Sequence, residues 1–467
     1  MRLSQALRLD RSTRLAFVGA GGKSSALFRS GRDLLADLTK RQESPARVLL
    51  AATTHLSLDQ TTLADRHFIL EAERASRLET MELPEGLCLF TGAPTTDNRT
   101  TGLSPEWMDW VLSQADRLDA PLLIEADGSK QCPLKAPASH EPVIPVWMSE
   151  VVVTAGLSGV GKPLEAEWVH RPERFALLGG IAIGQPVSLE ALERVLCHPQ
   201  GGLKGIPPRA RRIVLLNQAD DAERKAIANR MVPHLLEVYQ AVVIASLEPT
   251  GLTKSETEAI RPGSGQVWAV HEPIAGIVLA AGGASRMGQT KQMLEWRGRP
   301  LVWHVAQAGL RAGLSPLIVV TGYRAEELRQ ALADLPVVYA HNEHWQAGQS
   351  TSVRAGVMSL PAHSGGVVFL LADQPLVSAE LVRSLVEKHV ESLAPIVAPL
   401  VGGQRANPVL FDQVTFPELC ALQGDVGGRT LFSRYPVTWL PWNEPAVLID
   451  IDTPQDYQRL LDAEEAD

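Results

Sequence analysis

Two short apolar runs in this 467-residue chain each break into a cluster of glycines that carries a lysine. Leu15-Ala-Phe-Val runs into Gly19-Ala-Gly-Gly-Lys23-Ser24, and Ile277-Val-Leu-Ala-Ala runs into Gly282-Gly-Ala-Ser-Arg-Met-Gly-Gln-Thr-Lys291. Glycine lets backbone turn tightly and bring its amides close to an anion, and such turns sit at strand carboxyl ends, where open α/β sheets bind ligands. The rest of the chain has the same grammar: short β-branched runs alternate with longer amphipathic stretches, punctuated by Gly, Pro, Asp and Asn. In the first half, strands are expected over 15–18, 47–52, 121–125, 151–154, 212–216 and 241–245. The cycle then restarts at Ile274, after Arg261-Pro-Gly-Ser-Gly-Gln. The predicted fold class is α/β, with two doubly wound domains. Residues 1–260 form a variant P-loop-like domain, 261–273 a linker, and 274–467 a Rossmann-like domain.

Composition narrows the function. With 45% hydrophobic residues, 21% charged residues and a net charge of -9, the chain is neither a disordered tail nor a basic nucleic-acid-coating protein. Cys88, Cys132, Cys197 and Cys420 are isolated, with no C-x-x-C pair for zinc, an iron–sulfur cluster or a redox couple, and a reducing cytosol suits them. The N-terminus lacks the apolar core of a signal peptide, and no apolar run approaches the ~18 residues of a membrane helix. A cytoplasmic protein with no membrane and no nucleic-acid partner is expected.

In the first glycine turn, Gly19, Gly21 and Gly22 would cradle phosphate at a helix start, Lys23 would reach a β/γ oxygen, and the Ser24 hydroxyl would meet Mg²⁺. Phe17 stands where G-x-x-x-x-G-K-S has its first glycine, so the loop is a variant. Leu122-Leu-Ile-Glu-Ala-Asp places Glu125 and Asp127 after an apolar strand, and Glu125 would act on metal-bound water. Thr53, Thr54 and His55 end another strand. Asn217-Gln-Ala-Asp220 resembles the N-K-x-D base-reading turn of GTPases with Gln218 in place of Lys, although Asn217 and Asp220 read more simply as turn and helix-cap residues. His140 and Glu141 lie in a proline-flanked loop.

In the second turn, Gly282, Gly283 and Gly288 with Arg286 and Lys291 suit a triphosphate. Val367-Val-Phe-Leu-Leu-Ala-Asp373 delivers a carboxylate from an apolar strand. Val447-Leu-Ile-Asp-Ile-Asp452 reads as another strand carrying Asp450 and Asp452, with Asp452, at its end, the better placed to reach the metal.

The full string Leu279-Ala-Ala-Gly-Gly-Ala-Ser-Arg-Met-Gly-Gln-Thr-Lys291 resembles the L-A-(A/G)-G-x-S-x-R-M-G-x-x-K loop of the nucleotidyltransferases that make molybdenum cofactor dinucleotides. Further segments follow in that family's order: Asn342 with Trp345, Gly348 and Ser350–Ser352; Gly403–Pro408; Leu422–Gly428; and Asp450–Tyr457. The resemblance implies nucleotide binding by Leu279, Ala280, Ala281, Gly282, Gly283, Ser285, Arg286, Gly288, Lys291 and Asp373. Arg286, Lys291 and Asp373 would be catalytic, with Mg²⁺ held by Asp373 and Asp452. Leu279-Ala-Ala-Gly282 is similar to the cytidylyltransferase branch, which implies CMP transfer from CTP to the terminal phosphate of molybdopterin cofactor. The alternatives are GTP, another phosphate acceptor, or a nucleotide-switched molybdopterin carrier or chaperone. In the first half, G-A-G-G-K-S, A-T-T-H, E-A-D-G-S, Leu134–Pro145 and Val169–Glu173 resemble the YqeC family, named as accessory proteins of selenium-dependent molybdenum hydroxylases. That implies ATP or GTP as nucleotide in the first domain and a molybdenum hydroxylase apoenzyme as partner.

Overall fold

The apolar runs of the first half enter one sheet, because strands covered on both faces can be continuously hydrophobic. The computed structural model describes residues 1–71, 82–247, 265–283 and 290–466. They divide into two units, Met1–His271 and Glu272–Asp467.

In the first unit the strands are β1 (Arg14–Gly19), β2 (Arg47–Ala52), β3 (Arg66–Ile69), β4 (Gly86–Thr91), β5 (Leu122–Glu125), β6 (Leu134–Lys135), β7 (Glu150–Gly156), β8 (Val169–His170), β9 (Arg211–Asn217), β10 (Ala241–Ser246) and β11 (Gln266–His271). Nine of them form a sheet in the order β11-β10-β9-β7-β1-β5-β2-β4-β3, while β6 pairs with β8 alone. Every pairing in the sheet is parallel except β10 with β11. The stretch 266–271, expected as linker, is therefore an edge strand. Val267 and Val270 are buried there, a spacing that hid the strand from a search for strict alternation behind the glycine-rich segment. β1 lies between β5 and β7, with β2 beyond β5, so the chain order reverses at β1 and opens a crevice at its carboxyl end. The helix Lys23–Lys40 starts in that crevice and buries Ala26, Leu27, Phe28, Leu34 and Leu38. Each such large aliphatic or aromatic side chain contributes roughly 1.5–3 kcal/mol on burial.

The second unit contains β12 (Ile274–Leu279), β13 (Glu295–Trp296), β14 (Arg299–Pro300), β15 (Leu317–Thr321), β16 (Val338–His341), β17 (Gly366–Leu371), β18 (Ile396–Val401), β19 (Gln404–Arg405), β20 (Val409–Asp412) and β21 (Val437–Pro441). Its main sheet runs β16-β15-β12-β17-β20-β18-β19, and β21 pairs with β18. β12 is parallel to both neighbours, whereas β20 runs antiparallel to β17. Alternation along β12 and beyond it feeds two cores: Val278 and Ala280 pack with Val302, Val305, Leu381 and Leu385, and Ile277 and Ala281 with Val353, Val357 and Phe369. Both faces are covered, so the turn after β12 emerges between layers. The run 447–452 is not a strand: a 3₁₀ turn, Pro445–Leu448, leads into extended chain and then the helix Pro454–Ala466. Pro445 starts that turn, and the apolar alternation of Val447, Ile449 and Ile451 reflects burial of Val447 and Ile451 rather than sheet pairing. Among the described residues of both units, no helix is long and apolar enough to cross a membrane.

Candidate nucleotide sites

In the second unit, β12 leads into Ala280, Ala281, Gly282 and Gly283, and Thr290 and Lys291 are the next described residues. Ser285, Arg286 and Gly288 lie outside the described residues. The buried Gln292 side chain donates to the carbonyls of Ala280 (3.0 Å) and Gly282 (3.1 Å), tying both ends of the turn together. Sequence reading missed Gln292, because its contact pattern is invisible until the turn is closed. Lys291 donates to Asp452, and its Nζ is 3.6 Å from Asp373. Burial works to lower the Lys291 pKa, but the hydrogen bond to Asp452 and the charge of Asp373 outweigh it and raise the pKa. Burial pushes the Asp373 carboxyl up, against the pull of Lys291 and with the help of Asp450 and Asp452. The backbone of the C-terminal segment is pinned beside it, Ile451 N donating to the Asp373 carbonyl at 3.1 Å. Asp450 takes a different partner, the side-chain amide of Gln374.

Lys291, Gln292 and Asp373 line an open cleft of about 690 Å³ together with Leu279, Gly282, Gly283, Trp345 and Asp425. Trp345 presses on the turn so closely that a Cβ on Gly283 would stand 3.0 Å from its ring. Asn342 sets that wall: it donates to Thr351 (2.8 Å) and Ser352 (3.0 Å) and accepts from His344 N. Gly348, at φ +110°, precedes the helix Gln349–Met358, whose first N–H donates to Asp425 at 3.1 Å. A second cleft of about 620 Å³ shares Leu279, Leu371, Gln349 and Asp425 with the first and carries Arg405, Asn407, Arg429 and Phe432. The Arg405 guanidinium lies 4.8 Å from the Phe432 ring centre. Among the described residues no three His, Cys, Asp or Glu groups gather as a metal site. Two carboxylates, Asp373 and Asp452, do converge on one cationic group, and that donor set fits Mg²⁺, which takes one or two carboxylates with waters and substrate phosphates.

In the first unit the glycine turn is wedged at the reversal of strand order. Gly21 has φ +78°, and a Cβ there would meet Gly156 N at 2.3 Å, so no other residue fits without displacing backbone. Gly22 (φ +111°) precedes the helix, whose first internal bond is Ala26 N to Gly22 O, and the N–H groups ahead of it have no carbonyl within the helix. Gly19 N donates to both oxygens of Asp127 at 3.1 Å. Lys23 donates to Gly19 O at 2.7 Å and stands 3.4 Å from Asp127. Ser24 donates to Glu125 at 2.8 Å. Burial raises the Glu125 pKa, with Lys23 and Ser24 opposing it. The hydroxyl and carboxylate side by side fit a hard cation, with Glu125 as an acceptor for its water.

Asp127 continues into a chain of charges: Lys135 at 2.6 Å, then Glu141 at 2.8 Å from Lys135, then a two-pronged pair with Arg171 at 2.9 Å on each oxygen. Burial pushes the Glu141 carboxyl up, but the hydrogen bonds of Arg171 and Lys135 overcome this and hold it down at about 2. Beside it, burial and the charges of Arg171 and Lys135 lower His170 to about 4. His140, in contrast, is exposed and 3.8 Å from Glu141. Thr53 donates to Val143 O at 3.3 Å, and His55 offers its carbonyl to Arg99. An open cleft of about 580 Å³ is lined by Gly21–Ser25, His55, Arg99, Glu125, Lys130, Asn217 and Gln218. Asn217 is not a plain turn residue: it donates to Gly21 O at 2.8 Å and accepts from Leu247 N at 2.9 Å. Nor is Asp220 the helix cap. Asp221 is, accepting from Arg224 N at 2.8 Å.

Residues 15–173 match the model of the YqeC protein. The chain is 32% identical over 228 residues to the uncharacterized protein YqeC of Escherichia coli K12, a span of 48% of this chain and 83% of that relative. The chain belongs to the YqeC family. Beyond the YqeC half, residues 276–438 match a MobA-like NTP transferase domain. That half is 31% identical over 198 residues to the purine catabolism protein PucB of Bacillus subtilis 168, covering 39% of this chain and 94% of the relative. It is also similar to the crystal structure of Rv0371c from Mycobacterium tuberculosis H37Rv, at 30% identity and a TM-score of 0.38, over 41% of this chain and 98% of that one. This YqeC-family chain is thus a fusion of a YqeC domain with a MobA-like NTP transferase domain.

Proposed function

We propose that the MobA-like unit transfers a nucleotidyl group from a nucleoside triphosphate to the phosphate of a small-molecule acceptor. The observation that carries this is the pairing of Lys291 with Asp373 and Asp452 under the glycine turn, in a cleft that shares a wall with a second, arginine-bearing cleft. The first cleft takes the triphosphate: the backbone of Gly282 and Gly283 approaches its oxygens, and Lys291 swings from its carboxylates to the α-phosphate. The second takes the acceptor, with Arg405 and Arg429 on its phosphate and Phe432 against its apolar ring face. An acceptor phosphate oxygen attacks the α-phosphorus in line, the bond to the bridging α–β oxygen breaks, and pyrophosphate leaves. The nucleophile is already anionic, so no side chain need remove a proton, and catalysis is positioning plus charge stabilisation. Mg²⁺ held by Asp373 and Asp452 would neutralise phosphate charge.

Molybdopterin cofactor with CTP is the finer pairing to test first, on the strength of Leu279-Ala-Ala-Gly282. GTP or a different phosphorylated acceptor satisfies the same geometry. Pyrophosphate release measured across CTP, GTP and ATP, each with and without acceptor, decides the matter. Release without need of an acceptor phosphate, or none with any pairing, would refute the transfer reading.

In the YqeC unit we infer a second, independent nucleotide site that binds and hydrolyses ATP or GTP with Mg²⁺. Support comes from the helix start at Gly22, the Lys23 ammonium behind it and the Ser24–Glu125 pair. Orthophosphate release should disappear in Lys23→Ala while pyrophosphate release persists. Undiminished orthophosphate release would refute this site.

A further inference from the structure

A loop of the YqeC unit crosses from the end of β5 to the end of β7 past the glycine turn, and it is pinned on both sides. Lys135, whose side chain is buried, donates to the Gly128 carbonyl at 2.6 Å. Gly21 N donates to Cys132 O at 3.2 Å, and Gly156 N, at the end of β7, donates to Pro133 O at 2.8 Å. Between those anchors Cys132 N closes a tight turn on Ser129 O at 3.0 Å, with φ +49° at Lys130 and +63° at Gln131. A turn with two successive positive φ values ordinarily takes Asn-Gly, because a Cβ is strained there. Here a lysine and a glutamine occupy both positions. Left-handed residues other than glycine persist where their surroundings over-determine them, and they gather at ligand clamps and active sites. Both residues are exposed, and both line the cleft of Gly21–Ser25 and Glu125. Among the described residues no hydrogen bond or ion pair holds the Lys130 ammonium.

Resting on the reading of this cleft as a nucleotide site, we propose that Lys130 is its second phosphate-binding cation, held against the glycine turn by this strained loop. Lys23 leaves room for one. Its side chain is 2% exposed, bonded to Gly19 O and 3.4 Å from Asp127, so its charge is largely balanced from behind. A polyphosphate then carries more negative charge than Lys23 and one Mg²⁺ neutralise. An ammonium binds phosphate as a point charge with three donors, and its long stem is the flexible part, so fixing the backbone beneath it fixes where the charge can reach. The buried chain Asp127–Lys135–Glu141 thereby acquires a task, since Lys135 anchors the start of the loop. Ser24 and Glu125 form the metal pair on the β5 side, whereas Gly21 and Cys132 tie the loop to the glycine turn itself. Lys130 therefore serves the phosphates that a diphosphate and a triphosphate share, rather than the terminal one.

The test is equilibrium binding of ATP, ADP, GTP and GDP with Mg²⁺ to the full chain, with chemical denaturation alongside. The share lost in Lys23→Ala, or in Ser24→Ala if the buried lysine proves necessary for folding, is assigned to this unit, since the second unit is read as a nucleotide site too. Asparagine tolerates the left-handed region, so Lys130→Asn should unfold at the same or a higher denaturant concentration than the unmodified chain. It should bind diphosphate and triphosphate alike on the order of tenfold more weakly, the worth of a hydrogen bond to a charged group. Lys130→Arg should keep most of the affinity. Affinity lost while stability is kept is a result that a collapsed turn cannot produce. Unchanged affinity in Lys130→Asn, affinity lost only together with stability, equal losses in Lys130→Asn and Lys130→Arg, or a loss confined to the triphosphates overturns the assignment to Lys130 and leaves the nucleotide site standing. Absence of any binding that depends on Lys23 or Ser24 overturns both.

Discussion

Lys291 donates its ammonium to the carboxylate of Asp452, across a separation of 161 positions in the chain. The contact brings the end of the glycine turn to the start of the last helix, with Asp373 3.6 Å from the same nitrogen. A cation between two carboxylates is a resting arrangement that an incoming triphosphate can exchange, since its charge competes for both Lys291 and any metal the carboxylates hold. On the proposed transfer reading, these charges are assembled before substrate arrives.

Asp373→Asn follows from this. Burial raises the pKa of the Asp373 carboxyl, so removing its charge should leave thermal stability unchanged or slightly higher. Pyrophosphate release should fall at least ~100-fold, the scale of losing one electrostatic stabiliser. A variant with full activity, or one that unfolds, contradicts the role given to Asp373.

The two glycine turns should respond differently to alanine. Gly21→Ala forces a Cβ to 2.3 Å from Gly156 N at φ +78°, and should destabilise the first unit by roughly 1–3 kcal/mol or more, the scale of local backbone strain. At Gly282 no atom of the described residues lies within 4 Å of such a Cβ, so Gly282→Ala should fold normally. Its effect should be confined to weaker nucleotide binding, where backbone must approach phosphate. Chemical denaturation of both variants, with nucleotide titration of the second, makes the comparison.

Asn217→Ala leaves the Gly21 carbonyl and the Leu247 N–H without their side-chain partner in a buried setting. The cost should be about 1–3 kcal/mol in denaturation. Orthophosphate release by the first unit should fall with it. Unaltered stability would mean that the turn and β10 are held together by something other than Asn217.

Glu141 gives a pH signature. Its folded pKa of about 2 lies below the ordinary 4.5, so the unfolded chain takes up the proton first as pH falls. The stability it contributes is complete above pH 4.5 and is lost on descent from there toward 2. His170, depressed to about 4 from 6.5, loses its contribution over pH 6.5 to 4, in the same direction. The stability gap between the unmodified chain and Glu141→Gln should therefore hold steady above pH 5 and narrow below it. A gap independent of pH down to 3 would rule out the ion chain as its source.

Local features were legible in the sequence and distant ones were not. The strands ending at Gly19, Glu125 and Leu279 announce themselves by apolar runs broken by glycine or carboxylate, and the structure puts Ser24 beside Glu125 and Lys291 beside Asp373 and Asp452. β3, β4 and β11 escaped notice because they are short or irregular in alternation and gain their stability from pairing partners. Asp450 and Asp452 come from extended chain rather than a strand, and they part company there: Asp452 meets Lys291 while Asp450 meets Gln374. The chain Asp127–Lys135–Glu141–Arg171 could not be read at all, since each link depends on a loop whose path the sequence does not encode locally.

Pyrophosphate release by the full chain, with Mg²⁺, a nucleoside triphosphate and a phosphorylated acceptor, tests nucleotidyl transfer most directly. Molybdopterin cofactor should be compared with other phosphorylated small molecules, and CTP with GTP and ATP. Release should require acceptor and nucleotide together, favour one nucleotide, and vanish in Lys291→Ala. Release that persists in Lys291→Ala, or no acceptor-dependent release from any pairing, would contradict the assignment of the Lys291–Asp373–Asp452 cleft to this reaction.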